Sequence, residues 1–92
     1  MNSTNESILQ EADRLVSSDR QSQYGSPKSN FTHIAKIASS IIGKELTAED
    51  CAFVLLATKL ARLKFKKKRD SITDAAGYLK VLYLIEEDNY DK

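Results

Sequence analysis

Seven consecutive apolar residues, Cys51 through Ala57, put an apolar side chain on every side of any helix they form. A helix apolar all round belongs at the centre of a bundle or between subunits, not on a surface with one face in water. The run is far too short to span a bilayer. No stretch of the chain alternates apolar and polar residues long enough to propose a strand, so the chain is read as all-α.

Periodicity divides it into four helices. Ser3-x2-Glu6 matches a capping box, and Ile8, Leu9, Ala12, Leu15 and Val16 then form one apolar stripe. Ser17 to Ser29 reads as a loop, because it lacks aliphatic residues and holds Gly25 and the only proline, Pro27. Ser29 or Asn30 is placed to cap the second helix, which buries Phe31, Ile34, Ala35, Ala38, Ile41 and Ile42 and stops at Gly43. Thr47 caps the third, with Glu49 and Asp50 in its first turn and a run of cations at its end, both favourable to the macrodipole. Asp70 or Ser71 opens the fourth, which carries Ile72, Ala75, Ala76, Leu79, Leu82, Tyr83 and Ile85. Gly77 inside that helix costs about 1 kcal/mol relative to alanine, a loss that close packing of another helix backbone or of a flat ligand would explain.

Ninety-two residues make one helical domain, 1–92, with a core over 5–86 and short flexible termini. A chain this small sits near the lower limit at which one core sustains a fold, so the expectation is a compact four-helix protomer that forms a homo-oligomer through its third and fourth helices. The N-terminus does not read as a secretory leader, and the single cysteine, Cys51, lies in an apolar stretch as a small buried hydrophobe would. A cytoplasmic protein with no membrane association is expected. Net charge is only +1, but seven of the fourteen basic residues fall between Lys59 and Arg69 with no acid among them. Blocks of this kind either form a solvated face or steer an anion.

Two polar signatures bracket the apolar centre: Asp19-Arg20-x3-Tyr24-Gly25-x-Pro27-x2-Asn30-Phe31 and Asp70-Ser71-x2-Asp74-x-Ala76-Gly77-Tyr78. Between them, Lys59 and Arg62 share a helix face at i and i+3. A glycine-containing loop entering a helix offers free amides to an anion such as phosphate, and Arg20 and Lys28 would reinforce it. The guanidinium fork of Arg62 suits phosphate, as does the point charge of Lys59. Asn30, Asp74 and Tyr78 are the groups suited to selecting a sugar hydroxyl or base, with Tyr24 adding a ring and a hydroxyl. A structural account competes at each place: a tight turn around Tyr24, Gly25 and Pro27, and an Arg62–Asp74 ion pair fixing the last two helices. His33, three positions after Asn30, has no second histidine or nearby carboxylate on its helix and reads as a surface residue.

At these residues the chain resembles a family of small all-helical proteins of unassigned function carried by bacteriophages and prophages. The resemblance runs from Ile8 to about Glu86 and also rests on Ile34-Ala35 and Thr47-Ala48-x-Asp50. Ser39-Ser40 stands where relatives tend to carry a large aromatic, which implies a roomier pocket or interface.

Three functions are weighed. The favoured one is non-catalytic binding of a phosphate-bearing nucleotide, with no cofactor, no metal and no catalytic residue. In size and helical content the chain is similar to phage sponges that sequester a host's cyclic nucleotide alarm signals. The second is a metal-dependent enzyme resembling the all-helical nucleoside triphosphate pyrophosphohydrolases, which hold magnesium with Glu-x2-Glu and Glu-x2-Asp pairs on facing helices. Against it, residues 31–42 contain no acid. The third and weakest is nucleic-acid binding through Lys64, Lys66, Lys67, Lys68 and Arg69, which lacks a recognition signature. The candidate ligand-binding set is therefore Arg20, Tyr24, Gly25, Lys28, Asn30, Lys59, Arg62, Asp74 and Tyr78.

Overall fold

The computed structural model describes residues 6–91, which form helices α1 (Ile8–Arg14), α2 (Arg20–Tyr24), α3 (Pro27–Ile42), α4 (Ala48–Phe65) and α5 (Arg69–Ile85). A π-helical turn, Leu15–Asp19, joins α1 to α2 without a break, so the five segments make four helical rods. A 3-10 turn, Glu87–Asn89, follows α5, and no strand occurs among the described residues.

The first rod differs from its sequence reading at both ends. Ser3 of the expected capping box lies outside the described residues, and Glu6 instead bonds the Arg14 guanidinium at 2.9 Å. The box that starts α1 is one turn later: Ser7 Oγ accepts from the Gln10 amide at 3.1 Å, and Gln10 Oε1 accepts from the Ser7 amide at 2.8 Å. The segment 17–24, expected as loop, is helical. Polar bonds replace the missing aliphatic contacts there, with Asp19 accepting from Arg14 at 2.7 Å and Ser22 Oγ donating to the Asp19 carbonyl at 2.9 Å.

Gly25 ends the rod at φ +83°, a left-handed angle that its missing Cβ makes accessible. Ser26 then caps α3 by accepting from the Ser29 amide at 3.2 Å, with Pro27 in the first turn, so the cap falls three residues ahead of the nearer expected one. Gly43 stops α3 in the left-handed region, as the sequence implied, and Thr47 and Asp50 form a reciprocal capping box at the start of α4. Ser39 Oγ accepts from the Leu46 amide at 2.9 Å and so pins the α3–α4 loop. Lys68, not Asp70 or Ser71, precedes α5: Ser71 is buried and offers no cap, leaving Asp70 in the first turn to complement the dipole.

The central helix is α5, not the one carrying Cys51–Ala57. It packs on α1, α3, α4 and the π turn and buries Ser71, Thr73, Ala75, Gly77, Val81, Leu82 and Ile85. Small side chains on its N-terminal half let neighbouring rods come close. A Cβ added at Gly77 would stand 3.3 Å from Val16 Cγ2, tighter than most packing contacts, which accounts for a glycine in mid-helix. On α4 only Cys51 and Ala52 are fully buried, and Phe53 and Val54 remain 52% and 64% exposed. Burial pushes the Cys51 thiol up, so it stays protonated at neutral pH, as an inert core group does.

Ion pairs fasten the first rod to α5: Arg69 to Glu11 and Lys80 to Asp13. The Lys80 ammonium bonded to Asp13 holds that carboxyl below its ordinary value, and the Arg14 hydrogen bond does the same for Glu6. Both carboxyls therefore bind protons less readily folded than unfolded. Their stabilisation is complete above the ordinary carboxylate range and is lost as pH falls through the folded values. The urea midpoint is expected to drop as pH is lowered from about 6 to about 3, and Asp13→Asn should shallow that slope; an unchanged slope would show that these pairs are energetically silent.

Candidate functional site

Where the first rod crosses α3 and α5, a cavity of about 300 Å³ opens. Its apolar wall comes from buried Val16, Phe31 and Val81, with Ala12, Leu15, Ile34 and Leu55. Polar groups converge from three directions: Arg20, Gln21 and Tyr24 from α2, Asn30 from α3, and Thr73, Asp74 and Tyr78 from α5. Gly25 and Pro27, at the corner between α2 and α3, complete the lining. Thr73 spends its hydroxyl on the Arg69 carbonyl at 3.2 Å, so it closes the wall rather than offering a donor.

Both bracketing signatures thus meet at one place. Of the nine residues singled out from the sequence, Arg20, Tyr24, Gly25, Asn30, Asp74 and Tyr78 line this cavity. Lys28 does not; it borders a separate, shallow cleft on the outer side of α3 with Ser26, Ser29, Thr32, His33 and Lys36. Lys59 stands behind the wall, its Nζ 2.9 Å from Asp74 Oδ2, with both side chains largely sheltered. Arg62 is exposed and lines neither recess. The ion pair expected between Arg62 and Asp74 is therefore made by Lys59. Residues 59 and 74 face each other across the antiparallel hairpin, and residue 62 has turned about 300° further round α4.

The sequence reading missed Gln21 and the apolar wall. Ala12, Val16, Arg20 and Tyr24 recur every four residues, a spacing that would have revealed a lining helix had 17–24 not been read as loop. Among the described residues no three His, Cys, Asp or Glu side chains gather as a metal ion would require. Asp50 is occupied by the Thr47 amide and Asp74 by Lys59. No helix among the described residues is long and apolar enough to cross a membrane.

Residues 7–86 match the family described as a domain of unknown function, DUF6378. The chain is 45% identical over 74 residues to the Gene 55 protein of Mycobacterium phage D29, covering 79% of this chain and 49% of that protein. It is 34% identical over 91 residues to the Gene 55 protein of Mycobacterium phage L5, covering 94% of this chain and 58% of that protein. The chain thus spans about half the length of the curated relatives it matches. No solved structure matches it. With most of its length inside the matched region, including both residue signatures that meet at the cavity, the chain belongs to the DUF6378 family of small phage proteins.

Proposed function

We propose that this protein binds a phosphate-bearing nucleotide without turning it over, and that it serves a phage as a sponge for a host nucleotide signal in the cytoplasm. The observation carrying this reading is the convergence of Arg20, Tyr24, Asn30, Asp74 and Tyr78 on one cavity. An apolar recess with a few polar groups at fixed places is the usual form of a small-molecule site. A guanidinium suits phosphate, and a carboxylate and an amide suit sugar hydroxyls or base edges. Turnover by a two-metal mechanism would need several carboxylates together, and among the described residues Asp74 is the one acid lining the cavity, paired with Lys59.

Self-association through α4 and α5 belongs to the same proposal. Phe53, Val54 and Leu60 on α4 and Ile72, Leu79 and Tyr83 on α5 are each 41% to 64% exposed. Apolar surface of that density is characteristic of interaction sites.

The test is a thermal-shift screen of mono-, di-, tri- and cyclic nucleotides with and without magnesium, followed by calorimetry on any hit, since a ligand binding only the folded state raises Tm. Arg20→Ala should weaken binding about 10- to 100-fold, the loss of a charge-assisted contact worth roughly 1.5–3 kcal/mol. Arg62→Ala should leave it within about twofold, since that side chain lies off the cavity. Silence across the whole screen, or release of pyrophosphate with magnesium, would refute binding without turnover.

A further inference from the structure

The first rod carries one residue more than an α-helix would. The Leu15 amide closes a normal turn on Glu11, but the Arg20 amide donates to the Leu15 carbonyl, five residues back. At about 100° per residue, an uninterrupted helix would set Arg20 about 80° and Tyr24 about 120° around from Ala12. One inserted residue takes back about 100°, bringing both to within about 20° of Ala12. That is the face that meets Gly77 and lines the cavity. Without the π turn, Val16 could still pack on Gly77, but Arg20 and Tyr24 would swing off the recess.

The charge that this turn delivers is single. Arg20 and Asp74 are the charged residues lining the cavity, and Asp74 is neutralised by Lys59 at 2.9 Å. Arg20 forms no ion pair among the described residues. One uncommitted cation therefore faces a space of about 300 Å³, the lower end of the range for small-molecule sites.

Resting on the nucleotide reading above, we propose that the cavity takes a nucleotide carrying one phosphate group, a nucleoside monophosphate or a cyclic mononucleotide, with Arg20 as the anchor that the π turn delivers. A di- or triphosphate would bring further negative charge to a wall with nothing left to neutralise it. A cyclic dinucleotide carries two phosphates against the one uncommitted cation that a protomer's cavity supplies.

The experiment is calorimetry in magnesium-free buffer, comparing for each base the nucleoside, the monophosphate, the 3′,5′-cyclic monophosphate, the di- and triphosphates, and cyclic dinucleotides. Two variants accompany it: Arg20→Gln, and deletion of exposed Ser18, which restores an α-helical turn. One of the single-phosphate ligands should bind at least tenfold tighter than the nucleoside and the di- and triphosphates of the same base. Arg20→Gln should lose at least tenfold. The Ser18 deletion leaves Arg20 seven and Tyr24 eleven residues beyond Ala12, still within about 20° of it in a plain α-helix. It should keep its circular dichroism and bind within about threefold of the native chain; a tenfold loss in the deletion would overturn the rotational role given to the π turn. A preference for triphosphates or cyclic dinucleotides would overturn this proposal while leaving nucleotide binding intact; no binding by any member of the panel would overturn both. Should the deletion fail to fold, Arg20→Gln together with the phosphate series decides the matter.

Discussion

Truncating Phe31 to alanine is expected to lower the unfolding free energy by about 3–5 kcal/mol, the range for removing a buried phenyl group. Phe31 is 6% exposed, belongs to the core cluster with Val16, Ala35, Cys51 and Leu82, and also walls the cavity. A domain of this size has only about 5–15 kcal/mol in total, so the variant should be partly unfolded near physiological temperature. Because one side of the ring already faces a recess, it forfeits fewer packing contacts than a fully enclosed ring, which favours the lower half of the range. Urea denaturation measures the change. Phe53→Ala is the internal control: that ring is half-exposed, and its removal should cost under about 1 kcal/mol in dilute protein, where no second copy covers it. Equal losses in the two variants would contradict the assignment of core and surface.

The second large effect is Leu82→Ala, expected to cost about 2–5 kcal/mol. Leu82 is 5% exposed on the helix that every other rod touches, so the void left behind would be bounded by several elements at once. Leu79, three residues earlier on the same helix, is 57% exposed, and Leu79→Ala should cost less than about 1 kcal/mol. Similar midpoints for the two leucine variants would mean that α5 is not the axis of the fold.

These contrasts mark what the sequence could and could not convey. Helix class and number were legible because Phe31, Ile34, Ala35 and Ala38, like Ile72, Ala75, Leu79 and Leu82, recur at helical spacing. Gly43 and Thr47 were legible as boundary signals because their chemistry acts locally, through a left-handed angle and a hydroxyl on a nearby amide. The centre of the bundle was not. Apolarity marked α4, whereas the structure centres on α5, whose Ser71, Thr73, Ala75 and Gly77 permit close approach that a hydrophobicity count does not register. The π turn was equally hidden: Leu15–Asp19 holds no glycine or proline to mark it, and the Arg14–Asp19 and Lys80–Ser17 bonds that accompany it are seen only in the folded chain. At the site, the two signatures signalled convergence, but which cation would pair with Asp74 depended on the rotational phase of α4 against α5.

The placement of the recess bears on the order in which the molecule assembles. The α4–α5 hairpin closes a turn of only a few residues, whereas the Lys80–Asp13 contact joins positions 67 apart in the chain. Loop-closure entropy therefore favours the hairpin as the early nucleus, with the N-terminal rod arriving last. The wall carrying Arg20 and Tyr24 exists only once that late arrival is complete, so an occupant of the recess would act as a latch on the final step and slow amide exchange chiefly along residues 8–24.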